Sequence, residues 1–149
     1  VHPIIFLDCD GVINNWDSVI ESGGYRLPYV AERKLVNILK KFCEEEDAIV
    51  VLTSTWRISI TKSELLEVIG NWLDFHLPSG SKWKTGRDKR GFRGNEVIDW
   101  FNDNPIFKNN KYVILDDDSD FHPDQHFVKI NGEVGLTEAD IIAARSFLR

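Results

Sequence analysis

Two aspartates spaced one apart, Asp8 and Asp10, follow directly on four apolar residues, Ile4-Ile5-Phe6-Leu7, and run into Gly11. In extended chain alternate side chains share a face, so the two carboxylates point the same way and Cys9 the other. Two carboxylates aimed at one point make a seat for a hard cation, or a nucleophile beside an acid–base group. Gly11 permits a sharp turn and bares backbone N–H groups to a ligand. Asp-x-Asp-Gly by itself also fits an ordinary strand-end turn, so the chemistry needs partners from elsewhere in the chain.

Those partners depend on the elements that carry them. Ala48 to Leu52 is a second apolar run, ending at Thr53-Ser54-Thr55. Lys111 to Leu115 is a third, ending at Asp116-Asp117-Asp118-Ser119-Asp120. Short continuous apolar runs of this kind predict strands buried on both faces. Phe127 to Ile130 predicts a fourth strand. Leu35, Ile38, Leu39 and Phe42 give Val30–Cys43 the spacing of an amphipathic helix. Thr61-x-x-Glu64 reads as a capping box opening a helix to about Leu73, and Thr137-x-x-Asp140 opens another through Leu148. Asn95 to Phe101 predicts a short helix that stops before Asn104-Pro105. Phe75 to Gly94, with Pro78 and most of the basic residues, predicts a loop.

Strands alternating with helices predict an α/β fold with a parallel sheet and right-handed crossovers, in a single domain over residues 1–149. The three strand ends would then gather at one edge, where open α/β sheets bind ligands.

Composition narrows the classes. Hydrophobic residues are 42% and charged residues 28%, which fits a folded chain rather than a disordered one. No apolar run reaches membrane-crossing length, and no basic segment precedes a long apolar stretch, so a cytoplasmic protein without a membrane partner is expected. Cys9 and Cys43 read as free, core-facing thiols. His122 and His126 lack the further ligands of a transition-metal site. The net charge of −6 argues against a general nucleic-acid coat. Against that acidic background, the segment from Ser81 to Gly94 carries Lys82, Lys84, Arg87, Lys89, Arg90 and Arg93 with only Asp88 opposing them. Such a stretch marks where an anionic substrate would lie.

Taken together, these motifs resemble the haloacid dehalogenase (HAD) superfamily of phosphohydrolases. Asp8, Asp10 and Gly11 match its first motif, Thr53 its second, and Asp116 and Asp117 its last, with Asp120 as an alternative. The intervening cation falls on Arg93 or Lys89. More narrowly, V-L-T-S-T-W-R, R-G-N-E-V, L-D-D-D-S-D and G-L-T-E-A-D resemble the small domain of this superfamily found in "Swiss army knife" RNA-repair proteins.

The resemblance implies a three-layer Rossmann-like sheet with a minimal cap, and a Mg²⁺-dependent phosphomonoester hydrolase working through an aspartyl-phosphate. It implies Asp8 as nucleophile and Asp10 as acid–base. It further implies Mg²⁺ held by Asp8, the backbone carbonyl of Asp10, Asp116 and Asp117. Gly11, Thr53 and Ser54 would contact the phosphoryl group, and Arg93 or Lys89 would neutralise its remaining charge.

Only Asn14–Pro28 and Phe75–Arg93 are free to form a cap, so the site should be open and suit large substrates. A phosphorylated nucleic-acid end fits the basic stretch with Trp83 and Phe92, since cations track phosphates and aromatics stack on bases. Trp16 and Trp83, both in loops, are candidate substrate contacts. The alternatives are a small phosphorylated metabolite or nucleotide, and a non-catalytic phosphate- or Mg²⁺-binding module. A stable protein partner is not expected.

Overall fold

The computed structural model describes residues 1–24 and 29–149. Four strands, β1 (Ile4–Leu7), β2 (Ile49–Leu52), β3 (Tyr112–Asp116) and β4 (Phe127–Lys129), form an all-parallel sheet in the order β2-β1-β3-β4. Five α-helices are described around it: α1 (Trp16–Glu21), α2 (Arg33–Glu46), α3 (Lys62–Ile69), α4 (Arg93–Asp103) and α5 (Glu138–Leu148). This is the α/β, HAD-like Rossmann architecture that the alternation of elements predicts.

Period-two alternation divides β1 between two cores. Ile5 and Leu7 pack with α2, α3 and α5 through residues such as Leu39, Leu65 and Ile141. Ile4 and Phe6 pack on the other face with Val97 and Trp100 of α4. Phe6 meets the rings of Trp100, Phe101 and Tyr112 edge-on at 5.4, 5.5 and 5.8 Å. The sheet is therefore the middle of three layers, which is why its strands read as unbroken apolar runs.

Register sets the site. Leu7 pairs with Leu52 on one side and Leu115 on the other. The ladder continues one residue further, with Thr53 N–H donating to Leu7 O (2.8 Å) and Asp8 N–H to Leu115 O (2.9 Å). Asp8, Thr53 and Asp116 thus reach the carboxyl edge at one level. Asp8 falls on the Ile4–Phe6 face, the side covered by α4, while Cys9 is buried in the opposite core.

Several element boundaries differ from the sequence expectation. The helix predicted to Leu73 stops at Ile69, because Gly70 takes φ +136°, and Asn71–His76 follows as a 3₁₀ turn. Helix α4 starts at Arg93 rather than Asn95, which places Arg93 on the first helical turn. The stretch expected to supply a flap holds α1; its residues Tyr25 to Pro28 lie outside the described residues. Trp83, expected in a loop that contacts substrate, is a core residue at 6% exposure. Its carbonyl accepts from Leu52 N–H at 2.7 Å and Thr85 N–H donates to Leu52 O at 3.0 Å. The basic segment is thereby pinned along the free edge of β2.

Candidate active site

The loop after β1 is held by a residue that the sequence reading did not single out. Asn14 is fully buried, and its Oδ1 accepts from Gly11 N–H at 2.8 Å. Its Nδ2 donates to Asp10 Oδ1 at 2.9 Å and to Val30 O at 3.0 Å. The signal was its place three residues after Gly11, where a short amide side chain can close a turn back on its own backbone. Gly11 takes φ +81°, and a Cβ there would collide with the Asp117 carboxylate. Its lack of a side chain serves both the turn and the close approach of Asp117.

Asp8, Asp116 and Asp117 each offer one carboxylate oxygen within 4.8 Å of the others. Asp8 and Asp116 are buried at 5% and 1% exposure. A single guanidinium nitrogen, Arg93 Nη1, stands 3.5 Å from Asp8 Oδ1 and 3.6 Å from Asp116 Oδ2, and donates to Thr53 O at 2.6 Å. Lys89, the other candidate cation, is exposed and pairs with neither carboxylate. Helix α4 covers the face that Asp8 occupies, so a side chain on its first turn can reach the strand ends. Asp120 is drawn to a different task, its Oδ2 accepting from Arg93 N–H at 3.2 Å.

Electrostatics follows from this crowding. Burial raises the Asp8 carboxyl well above its usual range, and repulsion from Asp116 adds to it while Arg93 opposes it. Burial likewise raises Asp116 from 3.8 to about 6, against the pull of Arg93. Burial would lower Arg93, but Asp8, Asp116 and Asp120 outweigh it and hold the guanidinium charged. Asp10 is only partly buried, and burial raises it despite the hydrogen bond from Asn14. One cation among buried carboxylates leaves negative charge uncompensated.

Two orphaned atoms belong to these strand ends. Asp116 Oδ2 accepts no hydrogen bond although buried, and the buried Thr53 Oγ1 has no partner. Buried polar atoms are ordinarily satisfied, so orphans of this kind mark a place for a ligand. Three carboxylate oxygens from rigid strand ends are a donor set that suits a hard divalent cation. The cluster is compatible with metal binding. The Ser54 hydroxyl is already engaged, accepting from Trp56 N–H at 3.2 Å to cap the 3₁₀ turn Thr55–Ile58.

Behind this front lies a brace that also went unread. Arg57 is 5% exposed. Its Nη1 donates to the carbonyls of Thr53 (2.7 Å) and Ser54 (2.9 Å), and its Nε to Thr85 O (3.0 Å). Its Nη2 meets Glu96 Oε1 at 3.0 Å, and Glu96 Oε2 accepts from Asp88 N–H at 2.8 Å. This one ion pair links the end of β2, the basic segment and α4. The sequence signal was the pairing of an Arg after Thr-Ser-Thr-Trp with a Glu in the next helix, visible only once the two are known to be neighbours.

A parallel α/β sheet with aspartates at the ends of β1 and β3, a threonine at β2 and a helix-borne arginine among them defines a HAD-like protein. The match to a family model is specific: residues 4–141 fit the HAD domain in Swiss Army Knife RNA repair proteins, and the chain belongs to that family. Membership, with the acidic cluster, points to phosphohydrolase-type chemistry. No curated protein and no solved structure matches the chain significantly. Among the described residues no helix is long and apolar enough to cross a membrane.

Proposed function

We propose that the protein is a Mg²⁺-dependent phosphomonoesterase acting on phosphorylated nucleic-acid ends. The observation that carries the chemistry is the convergence of Asp8, Asp116 and the Thr53 carbonyl on one Arg93 nitrogen. An Asp8 oxygen attacks phosphorus, the bond to the leaving oxygen breaks, and an aspartyl-phosphate forms. Dividing one difficult displacement into two lowers each barrier. Asp10, protonated at the start, gives its proton to the leaving oxygen, then takes one from the water that hydrolyses the acyl phosphate. Burial raises both carboxyls, Asp8 and Asp10; a divalent cation held by the Asp8 side chain would favour the Asp8 anion and leave the proton on Asp10. The Thr53 hydroxyl and Arg93 hold the phosphoryl oxygens as charge develops on them. Asp8, the Asp10 carbonyl, Asp116 and Asp117 would hold Mg²⁺, which supplies positive charge between an anionic nucleophile and an anionic phosphate.

The nucleic-acid part rests on the family's description and on the basic segment. Lys82, Lys84 and Arg87 line a cavity of about 540 Å³, and Arg87, Lys89, Arg90 and Arg93 line a second of about 360 Å³. Arg87 belongs to both, so the cations, with Asp99 and Asp103 also lining the first cavity, form one track that ends at the residue touching Asp8. Phosphates spaced along a polynucleotide would follow such a track.

The test is phosphate release with Mg²⁺ from 3′- and 5′-phosphorylated oligonucleotides, free nucleotides, sugar phosphates and phosphopeptides. Hydrolysis favouring an oligonucleotide, abolished in Asp8→Asn, is expected. Preference for a small phosphorylated metabolite would replace the nucleic-acid reading. Absence of turnover across the panel would leave a phosphate- or metal-binding module.

A further inference from the structure

We propose that the cavity formed by Trp16, Asp117, Lys129, Ile130, Asn131 and Gly132 is a leaving-group subsite that seats a nucleobase against the Trp16 indole. The proposal rests on the phosphomonoesterase reading and goes beyond it by locating the group esterified to the phosphate.

The cavity measures about 380 Å³, within the range of small-molecule sites. It starts at Asp117, one of the three clustered carboxylates, so it is continuous with the place where phosphate would sit. Its floor, Ile130 to Gly132, directly follows β4. The basic segment lies along β2, at the other end of the strand order. The cavity and the cationic track therefore flank the carboxylates on opposite sides. A terminal nucleotide with its phosphoryl group at Asp8 can send its base one way and the next phosphate the other.

Trp16 is 46% exposed, whereas Trp56, Trp83 and Trp100 are at 0, 6 and 3%. Its position is nevertheless fixed. Asn15 caps α1 by accepting from Ser18 N–H at 2.9 Å, and Asn15 Nδ2 donates to Glu32 at 2.9 Å. Trp16 N–H donates to Gly132 O at 3.2 Å. A Cβ at Gly132 would stand 2.6 Å from Trp16 Nε1 and 3.0 Å from Asp117 Oδ2. The missing side chain lets the indole and a site carboxylate approach the same point.

The polar groups of the cavity match a base edge. Lys129 is exposed and forms no ion pair among the described residues. Asn131 accepts from Glu133 N–H through Oδ1, which leaves its Nδ2 to donate outward. Two donors beside an exposed indole suit a ring bearing carbonyl and imine acceptors.

The experiment compares a nucleoside monophosphate with the same ribose phosphate lacking its base, and a phosphorylated oligonucleotide whose terminal nucleotide is intact or abasic. The wild-type protein, Trp16→Ala and Trp16→Phe are assayed with Mg²⁺. Base stacking on an aromatic side chain predicts that the base lowers KM about tenfold in the wild type. That ratio should fall to near one in Trp16→Ala and persist in Trp16→Phe, with the kcat ratio little changed. Equal KM with and without the base in the wild type, or a ratio untouched in Trp16→Ala, overturns the proposal. Calorimetric binding of the nucleotide and the ribose phosphate to Asp8→Asn gives the same comparison without turnover. A failure of the phosphatase reading and a failure of this subsite are thereby read separately.

Discussion

At the carboxyl ends of β1 and β3 the charged groups are buried and paired; between Lys82 and Arg90 they are mostly exposed and unpaired. Arg93 Nη1 lies within 3.6 Å of both the Asp8 and the Asp116 carboxylate, and the Arg57–Glu96 pair behind them is 5% exposed on both sides. Lys82, Arg87, Lys89 and Arg90 are exposed, and Lys84, half-buried, lies over the Trp83 ring at 5.1 Å. Charges removed from water must be held by fixed partners, which makes the centre rigid and unforgiving. Solvated cations contribute little to stability, so the rim is free to serve recognition. On the proposed function, the contrast separates the groups assigned to chemistry from those assigned to substrate selection.

The largest expected effect strikes the centre. Asp10→Asn should slow turnover of an alkyl phosphate by about 10²–10⁴-fold, the usual worth of a general acid. The loss should be smaller for an aryl phosphate, whose leaving group needs no proton. Steady-state rates on the two substrates check it, and equal losses would remove Asp10 from the acid role.

Next comes the brace. Arg57→Ala leaves Glu96 buried without its ion-pair partner and removes the donor to the Thr85 and Gly86 carbonyls, whereas Thr53 O keeps Arg93 and Ser54 O keeps the residue-57 N–H. Breaking a buried pair from one side typically costs about 3–5 kcal/mol. Denaturant unfolding should show a loss of that size, with partial recovery in Arg57→Ala/Glu96→Gln. A loss as small as that of an exposed pair such as Lys40–Glu44 would break the distinction between centre and rim.

The rim should behave differently. Lys82→Glu/Lys84→Glu should leave stability nearly unchanged yet raise KM for a phosphorylated oligonucleotide about tenfold and flatten its salt dependence, since fewer counterions are released. A small aryl phosphate should respond far less. Equal responses of the two substrates would show that the basic segment acts on the chemistry rather than on recognition.

The smallest effect is a pH dependence. Burial gives Asp116 a folded-state pKa of about 6 against 3.8 when unfolded. A carboxyl raised on folding contributes stability that is complete below 3.8 and is lost as pH climbs through about 6. With chelator present, Tm should therefore decline by a few degrees across that window relative to Asp116→Asn. Mg²⁺ should restore Tm above it, because the ligands bind metal when ionised. A thermal melt series with and without Mg²⁺ reads both.

Much of this was legible in the residues alone. Unbroken apolar runs followed by Asp-x-Asp-Gly, Thr-Ser-Thr and Asp-Asp-Asp determine buried strands with carboxylates and hydroxyls at their ends, because strand burial and side-chain alternation are local consequences of backbone geometry. The α/β class follows from the order of elements, and two helix starts from their Thr-x-x-Glu and Thr-x-x-Asp boxes, both of which form. The structure alone decided which cation reaches Asp8, since Arg93 and Lys89 are separated not by sequence but by the turn of α4 on one face of the sheet. It also decided that Trp83 is core while Trp16 borders a cavity, and that Arg57 and Glu96 brace the site. Those outcomes depend on contacts between residues far apart in the chain, such as Arg57 with Glu96 and Trp16 with Gly132. No local pattern encodes such a contact; it exists only when register and layer packing bring the two partners to the same point.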